Sequence, residues 1–327
     1  MPKATIIGNT TWGNTLGALL NSKGVTVKLL VRSEAEAEGL NQKTHTCSPT
    51  SRVEEAMDGA GLVVWAIPSQ TLRENVSQIK GYLTNSMLLM SAAKGLEVNS
   101  GKRMSEVIAE EVSPALRQQI CVLSGPNLAK EIVQGLPAAS VIAAQDIAVA
   151  EGAREIMESP RFLLFTSDDV IGVELGGSLK NIIALGAGII DGLSLGDNAK
   201  AAFITLGWNE LISLGVRLGA KISTFYGLAG LGDLIATCAS PLSRNHHVGC
   251  ELAKGHTLPE ISASMPQVAE GVTTAMAVHR LAETLGMELP FTNLIYRILF
   301  KDLPANEALA KSRELVKSQY RPSDVLR

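Results

Sequence analysis

Ala4-Thr5-Ile6-Ile7-Gly8-Asn9-Thr10-Thr11-Trp12-Gly13 passes from a short apolar run, Ala4–Ile7, through a glycine turn into a helical stretch, Thr11–Ser22. An apolar run of that length suits a buried strand, and a strand that turns at once into a helix opens a βαβ unit. The rhythm then repeats. Apolar runs at Val25–Val31, Leu62–Ile67, Met87–Ala92, Ile120–Leu123, Ala139–Ala143 and Leu163–Phe165 alternate with helical stretches at Thr71–Tyr82, Arg103–Glu111, Leu128–Gln134 and Ala148–Glu158. This alternation predicts an α/β, Rossmann-like N-terminal domain with a mostly parallel sheet.

Beyond about Ser167 the alternation stops and long helical patterns take over, with Ser167 or Asp168 placed to cap the first of them. The expected division is a dinucleotide-binding domain over 1–167 and an all-α substrate and dimerisation domain over 168–327. The stretch Asp169–Asp191 is rich in Gly and Ala yet carries Glu174, Lys180 and Asn181, so it reads as a tightly packed core helix rather than a membrane segment. Further helices are predicted at Ala199–Leu218, Leu231–Thr237, Val248–Lys254, Val272–Leu285, Phe291–Phe300 and Ala305–Ala310, with a loose tail to Arg327.

A chain of 327 residues is long enough for two cores, and with 46% hydrophobic but only 4% aromatic residues those cores must be aliphatic. Lys and Arg number 29 against 32 Asp and Glu, a balance of 29 − 32 = −3 with no dense basic block, so nucleic-acid binding has no electrostatic footprint. Cys47, Cys121, Cys238 and Cys250 form no C-x-x-C pair and no metal-like spacing with the five histidines. No metal is expected, and a reducing cytoplasm fits the thiols. The N-terminus lacks signal-peptide regions and no uncharged apolar run reaches about 18 residues, so neither export nor a membrane span is expected.

In an open parallel sheet ligands bind beyond the carboxyl ends of the strands, so the residues just after each predicted strand are the candidates. Gly8 and Gly13 hold the outer positions of a G-x-G-x-x-G turn whose following helix could carry a pyrophosphate at its N-terminus. The middle position is Thr10, which either shifts the dinucleotide or offers its hydroxyl as a donor. The plainer reading is a glycine turn with no ligand. Strand two ends at Arg32 rather than at an Asp or Glu, which leans toward NADPH over NADH because a guanidinium can pair with a 2′-phosphate. Lys94 follows the fourth strand directly. Lys180 follows Gly176 and Gly177, which leave out side chains about one turn earlier and so make room for a substrate. Asp233 stands near a helix start, where capping alone explains a carboxylate. Ser243-Arg244-Asn245 supplies a donor set for an anionic group, or is an exposed polar loop.

Taken together, Ser91-Ala92-Ala93-Lys94-Gly95-Leu96-Glu97, Ser124-Gly125-Pro126-Asn127-Leu128-Ala129-Lys130-Glu131, Ile171-Gly172-Val173-Glu174-Leu175-Gly176-Gly177, Lys180-Asn181, Ala229-Gly230-Leu231-Gly232-Asp233-Leu234 and Ser243-Arg244-Asn245 resemble the bacterial-type NAD(P)-dependent glycerol-3-phosphate dehydrogenases over nearly the whole chain. The resemblance implies reduction of dihydroxyacetone phosphate to sn-glycerol 3-phosphate with NADPH or NADH, for phospholipid synthesis. It implies that Lys180 gives or takes the proton and that Lys94, Gly125, Asn127, Asp233, Ser243, Arg244 and Asn245 contact substrate. Thr11, Trp12, Arg32, Ala129, Val268 and Glu270 would contact the cofactor, with Lys94 and Arg244 bordering both ligands. Asn127 replaces a common Ser or Thr, and Thr10 replaces the usual glycine. Lys94, as a second cation, would polarise the carbonyl and lower the pKa of Lys180. A dehydrogenase for another hydroxy acid or sugar derivative and a non-catalytic dinucleotide sensor are the competing readings. Apolar helical surface in the second half points to a homodimer.

Overall fold

The computed structural model describes residues 2–41, 46–265 and 269–319. Eight strands build one sheet: β1 (Lys3–Ile7), β2 (Thr26–Leu30), β3 (Ser48–Thr50), β4 (Leu62–Trp65), β5 (Leu88–Ser91), β6 (Ile120–Ser124), β7 (Ala138–Ala144) and β8 (Phe162–Ser167). Their order is β3-β2-β1-β4-β5-β6-β7-β8. β1 to β6 are parallel, β7 pairs antiparallel with β6, and β8 runs parallel to β7. The chain steps from β1 to β2 on one side and later returns to β4 on the other, so a crevice opens beyond β1 and β4.

Both faces of β1 to β6 are covered, which is why those strands read as continuous apolar runs, while Leu163 and Phe165 of β8 stay exposed. Ile6, Val27, Leu62 and Val64 face Leu16 and Leu20 of α1 (Thr11–Ser22). Ile7, Val63, Trp65 and Leu89 face the opposite side, against α4 (Leu72–Ile79) and α5 (Met104–Glu111). Between them come α2 (Glu34–Asn41) and α3 (Val53–Met57), and α6 (Ala129–Val133) and α7 (Ile147–Met157) complete this half. The sequence pattern does not anticipate α2, β3 or α3. Only Ala37 of α2 is buried, so there is no apolar stripe to read, and the other two elements are three and five residues long.

The second half is helical: α8 (Val170–Gly192), α9 (Asp197–Arg217), α10 (Ile222–Phe225), α11 (Asp233–Ala239), α12 (Arg244–Ala253), α13 (Leu258–Ser264), α14 (Glu270–Leu285), α15 (Pro290–Phe300) and α16 (Ala305–Gln319). Asp169 caps α8, not Ser167 or Asp168: its carboxylate accepts the Gly172 N–H at 2.9 Å, while Ser167 Oγ accepts the Asp169 N–H and Asp168 pairs with Lys221. α12 begins at Arg244, so Ser243-Arg244-Asn245 is a helix start and not a loop; Ser243 Oγ accepts the His246 N–H at 3.3 Å. α16 carries the chain to Gln319 where a loose tail was expected.

α8 is the axis of this half. A Cβ on Gly188 would lie 2.0 Å from His246 O, and one on Gly249 2.0 Å from Leu185 O, so α8 and α12 meet backbone to backbone. α8 has the length and hydropathy of a membrane span, yet 94% of its most apolar window is buried within the protein. Ile222–Ala239 passes the same length and hydropathy test but is interrupted at Tyr226 and Gly227 and includes a π-helical turn, Leu228–Gly232.

Candidate functional site

The β1–α1 turn is built as a close approach. Gly8 has φ +107, and a Cβ on Gly13 would lie 2.4 Å from Gly8 O, so neither position admits a side chain without moving backbone. Thr10 caps α1: its hydroxyl accepts the Gly13 N–H at 2.9 Å and donates to Ala66 O at 2.7 Å. That corrects the expectation of a hydroxyl free to donate to the ligand, since it is engaged within the protein and ties the turn to the end of β4. The other first-turn N–H groups of a helix have no partner in the helix itself, which suits this end of α1 to a pyrophosphate. Thr11 is exposed here, and Trp12 is half-buried against the neighbouring core. Arg32 is exposed just past β2, and Ala129 opens α6. Val268 lies outside the described residues.

At the other end of the crevice three charges meet. Lys94, three residues beyond β5, donates through Nζ to Gly125 O at 2.8 Å and to Asp233 Oδ2 at 2.6 Å. Lys180, in the middle of α8, donates to Asp233 Oδ1 at 2.6 Å and to Thr237 Oγ1 at 2.5 Å. Asp233 is 2% exposed, so it is the shared anion of two ammonium groups and not merely a helix cap. An ammonium has three N–H donors, so each lysine has one beyond these contacts. Burial pulls Lys94 down to about 8; Asp233 opposes that shift and the charge of Lys180 adds to it as a smaller cause. At Lys94 the lowering by a like charge is therefore a smaller cause than burial.

Gly176 and Gly177 do not leave room for a substrate. A Cβ on Gly177 would lie 2.2 Å from Ser124 Oγ, and one on Gly176 2.7 Å from Ala229 O, so the protein itself fills that space. Gly177 permits the contact of α8 with the end of β6 and the Lys94 side chain, and Gly176 its contact with Ala229 and Gly230. Gly125, at φ +149, brings its backbone against Ser140, to within 2.8 Å of Cα for a built Cβ. Asn127 accepts from Ser140 Oγ at 2.5 Å through Oδ1, while Asn127 Nδ2, Ser124 Oγ and Ser91 Oγ are buried with no partner among the described residues. Orphaned polar atoms clustered beside Lys94 and Gly125 fit a site completed by a polar ligand.

α12 supplies the outer wall. Asn245 is buried and committed inward, donating to Asn181 Oδ1 and accepting the Gly271 N–H, both at 2.9 Å. Arg244 is exposed, and its charge acts on Glu270. Glu270 accepts the Ser69 N–H at 2.9 Å and the Ser69 hydroxyl at 2.5 Å, closing the helical half onto the loop after β4; burial raises its carboxyl. His246 faces Asp191 at 2.7 Å, away from the lysines.

The structure thus gathers Lys94, Gly125, Lys180 and Asp233 in one cluster, sets Ser243, Arg244 and Asn245 on one helix start, and leaves the glycine turn and Arg32 at the dinucleotide end. From sequence Thr237 goes unnamed as a site residue, and Asn181 and Glu174 are named without a role. Thr237 lies one helical turn after Asp233, a spacing that places both on one face and was the available signal. Glu174 is buried and accepts from Arg103 Nη1 at 2.7 Å, Ser105 N at 2.8 Å and Ser105 Oγ at 2.5 Å, joining α8 to the start of α5.

Two family models match: NAD-dependent glycerol-3-phosphate dehydrogenase N-terminus over residues 3–150 and the C-terminus of the same family over residues 169–310. A glycerol-3-phosphate dehydrogenase [NAD(P)+] of Dehalococcoides mccartyi is 50% identical over 95% of this chain and 90% of its own length. That of Moorella thermoacetica is 41% identical over 94% of this chain and 95% of its own. The crystal structure of glycerol-3-phosphate dehydrogenase from Coxiella burnetii superposes with a TM-score of 0.90 at 32% identity, covering 96% of this chain and 99% of that one. With the two-lysine carboxylate cluster at the sheet's edge and matches in both halves, the chain belongs to the NAD-dependent glycerol-3-phosphate dehydrogenase family.

Proposed function

We propose that this chain carries out the NAD(P)H-dependent, reversible reduction of dihydroxyacetone phosphate to sn-glycerol 3-phosphate, for glycerophospholipid synthesis, at the Lys94–Asp233–Lys180 cluster. The observation that carries the reading is the pair of ammonium groups on one buried carboxylate, each with a donor to spare. The nicotinamide supplies the hydride when bound. Negative charge then develops on the ketone oxygen, and the third N–H of Lys180 stabilises it and delivers the proton. Lys94 polarises the same oxygen. Asp233 and Thr237 fix the direction of the Lys180 ammonium by taking its other two donors. Arg244 anchors the substrate phosphate with Ser243 at the α12 start, Asn245 holds Asn181 and Gly271 in register, and Asn127 Nδ2 offers a donor beside Gly125. Gly8, Thr10, Thr11, Trp12, Gly13, Arg32, Ala129 and Glu270 contact the cofactor, and Arg32 favours NADPH.

Residues 1–167 act as the dinucleotide domain and 168–327 as the substrate and dimerisation domain. An apolar cavity of about 500 Å³ among α8, α9, α15 and α16, lined by Phe203, Leu206, Phe291, Leu294 and Ile298, supports a homodimer through this face. Its four thiols are unpaired, in keeping with a cytoplasmic protein. The test is the loss of nicotinamide absorbance when purified protein meets dihydroxyacetone phosphate with NADPH or NADH, and unphosphorylated dihydroxyacetone as control. Oxidation that depends on the phosphate supports the assignment. Cofactor binding with no oxidation of either coenzyme would remove it.

A further inference from the structure

Just past β2, Arg32 meets a carboxylate that comes from four residues further along. Glu36, in the first turn of α2, accepts the Arg32 backbone N–H at 3.1 Å through Oε2 and the Asn9 side-chain amide at 2.8 Å through Oε1. Asn9 belongs to the β1–α1 turn and is held in turn by Asn14 of α1, whose Nδ2 donates to Asn9 Oδ1 at 2.9 Å. In this fold an adenosine ribose lies between the glycine turn and the end of β2, where an acidic side chain binds the 2′-hydroxyl. Glu36 spans those two segments. Its neighbour Glu34 is turned elsewhere, accepting from Ser51 Oγ at 2.6 Å.

We propose that Glu36 sets the balance between NADH and NADPH, in opposition to Arg32. The inference rests on reading the chain as NAD(P)-dependent. A ribose 2′-hydroxyl is a donor and can join Glu36 without breaking its contacts. A 2′-phosphate brings about −1.5 to −2 charges and three acceptor oxygens to the same place. It must displace the carboxylate from the Arg32 N–H before that N–H can pair with it, and the carboxylate repels it where it stands. Arg32 therefore draws the 2′-phosphate in and Glu36 holds it off, so a chain carrying both accepts either coenzyme.

The competing reading is a helix cap. Ser33 Oγ accepts the Glu36 N–H at 3.2 Å, half of a capping box. A capping box would put the carboxylate on the Ser33 N–H, whereas here it reaches past to Arg32 and across to Asn9. A cap also predicts a different result, because its loss weakens both coenzymes alike.

The experiment compares the full-length protein with Glu36→Gln and Arg32→Ala. Calorimetry measures the affinities for adenosine 2′,5′-bisphosphate and adenosine 5′-monophosphate, and kcat/KM is measured with NADPH and NADH. Glu36→Gln is expected to raise the bisphosphate-to-monophosphate affinity ratio and the NADPH-to-NADH kcat/KM ratio about tenfold. Arg32→Ala is expected to lower both. Ratios unchanged in Glu36→Gln but lowered in Arg32→Ala overturn the inference and leave Arg32 as the 2′-phosphate residue. A rise in Glu36→Gln with no change in Arg32→Ala keeps the Glu36 inference and removes the Arg32 reading. An equal loss for all ligands in Glu36→Gln makes Glu36 a cap and overturns the inference.

Discussion

Two buried charged clusters lie on the same helix, six residues apart, and they differ in what they leave undone. At Glu174, both carboxylate oxygens are engaged: Ser105 N reaches one, and Arg103 Nη1 and Ser105 Oγ reach the other. At Lys180, two donors meet Asp233 and Thr237, and a third is left for something the described residues do not supply. Burial works against both, raising the Glu174 carboxyl and lowering Lys94 beside Lys180 to about 8. The lesson is that burial of charge does not by itself separate catalysis from architecture. Unused hydrogen-bonding capacity does, and by that criterion Glu174 is a clamp between the two halves of the chain and Lys180 is the proposed reagent.

The largest test of this contrast is Lys180→Ala. It is expected to lower kcat about 10³-fold, within the range for loss of a general acid, while the Kd for NADPH, followed by calorimetry, changes less than threefold. Near-normal turnover would make Lys180 another clamp. Glu174→Ala should do the reverse. Arg103 keeps its contact with Glu106 at 3.0 Å, so the expected cost is about 3 kcal/mol of stability by urea unfolding, at the low end for a broken buried pair. The kcat of the folded enzyme should stay within tenfold; a larger fall at unchanged stability would erase the distinction. Lys94→Arg sharpens the catalytic side. The wild-type rate of ketone reduction should fall as pH rises through about 8, where Lys94 loses its proton in the folded protein. A guanidinium stays charged there, so the variant's pH–rate profile should lose that limb. Ser105→Ala is the smallest change. It removes one of the three donors to Glu174 and leaves the backbone N–H, and should cost about 1 kcal/mol in the same urea experiment.

Much of the fold was legible because strand and helix periodicities differ and this chain keeps them apart: Thr11–Ser22 is helical as read, and the first six strands named from sequence, Ala4–Ile7 to Ala139–Ala143, lie within two residues of those found. The reversal at β7 was not legible, since an apolar strand buried on both faces reads the same in either direction. Lys94 and Lys180 stood out as cations in apolar surroundings. The role of Asp233 did not, because its partners are 139 and 53 residues away and a carboxylate at a helix start already has a local explanation. Glu36 was not legible for a similar reason: no acid stands at the strand end itself, and the carboxylate there is supplied from the next helix.

The glycines of α8 bear on how the chain folds. Gly172, Gly176, Gly177, Gly186, Gly188 and Gly192 together cost about 5 kcal/mol of intrinsic helix propensity relative to alanine. A segment so penalised has little helix of its own in the unfolded chain, and it becomes helical only when α12 and the end of β6 close around it. Lys180 is therefore held in position by tertiary packing rather than by the helix's own propensity. The amides around it should exchange with solvent only through global unfolding, although they belong to the segment with the least tendency to be a helix alone.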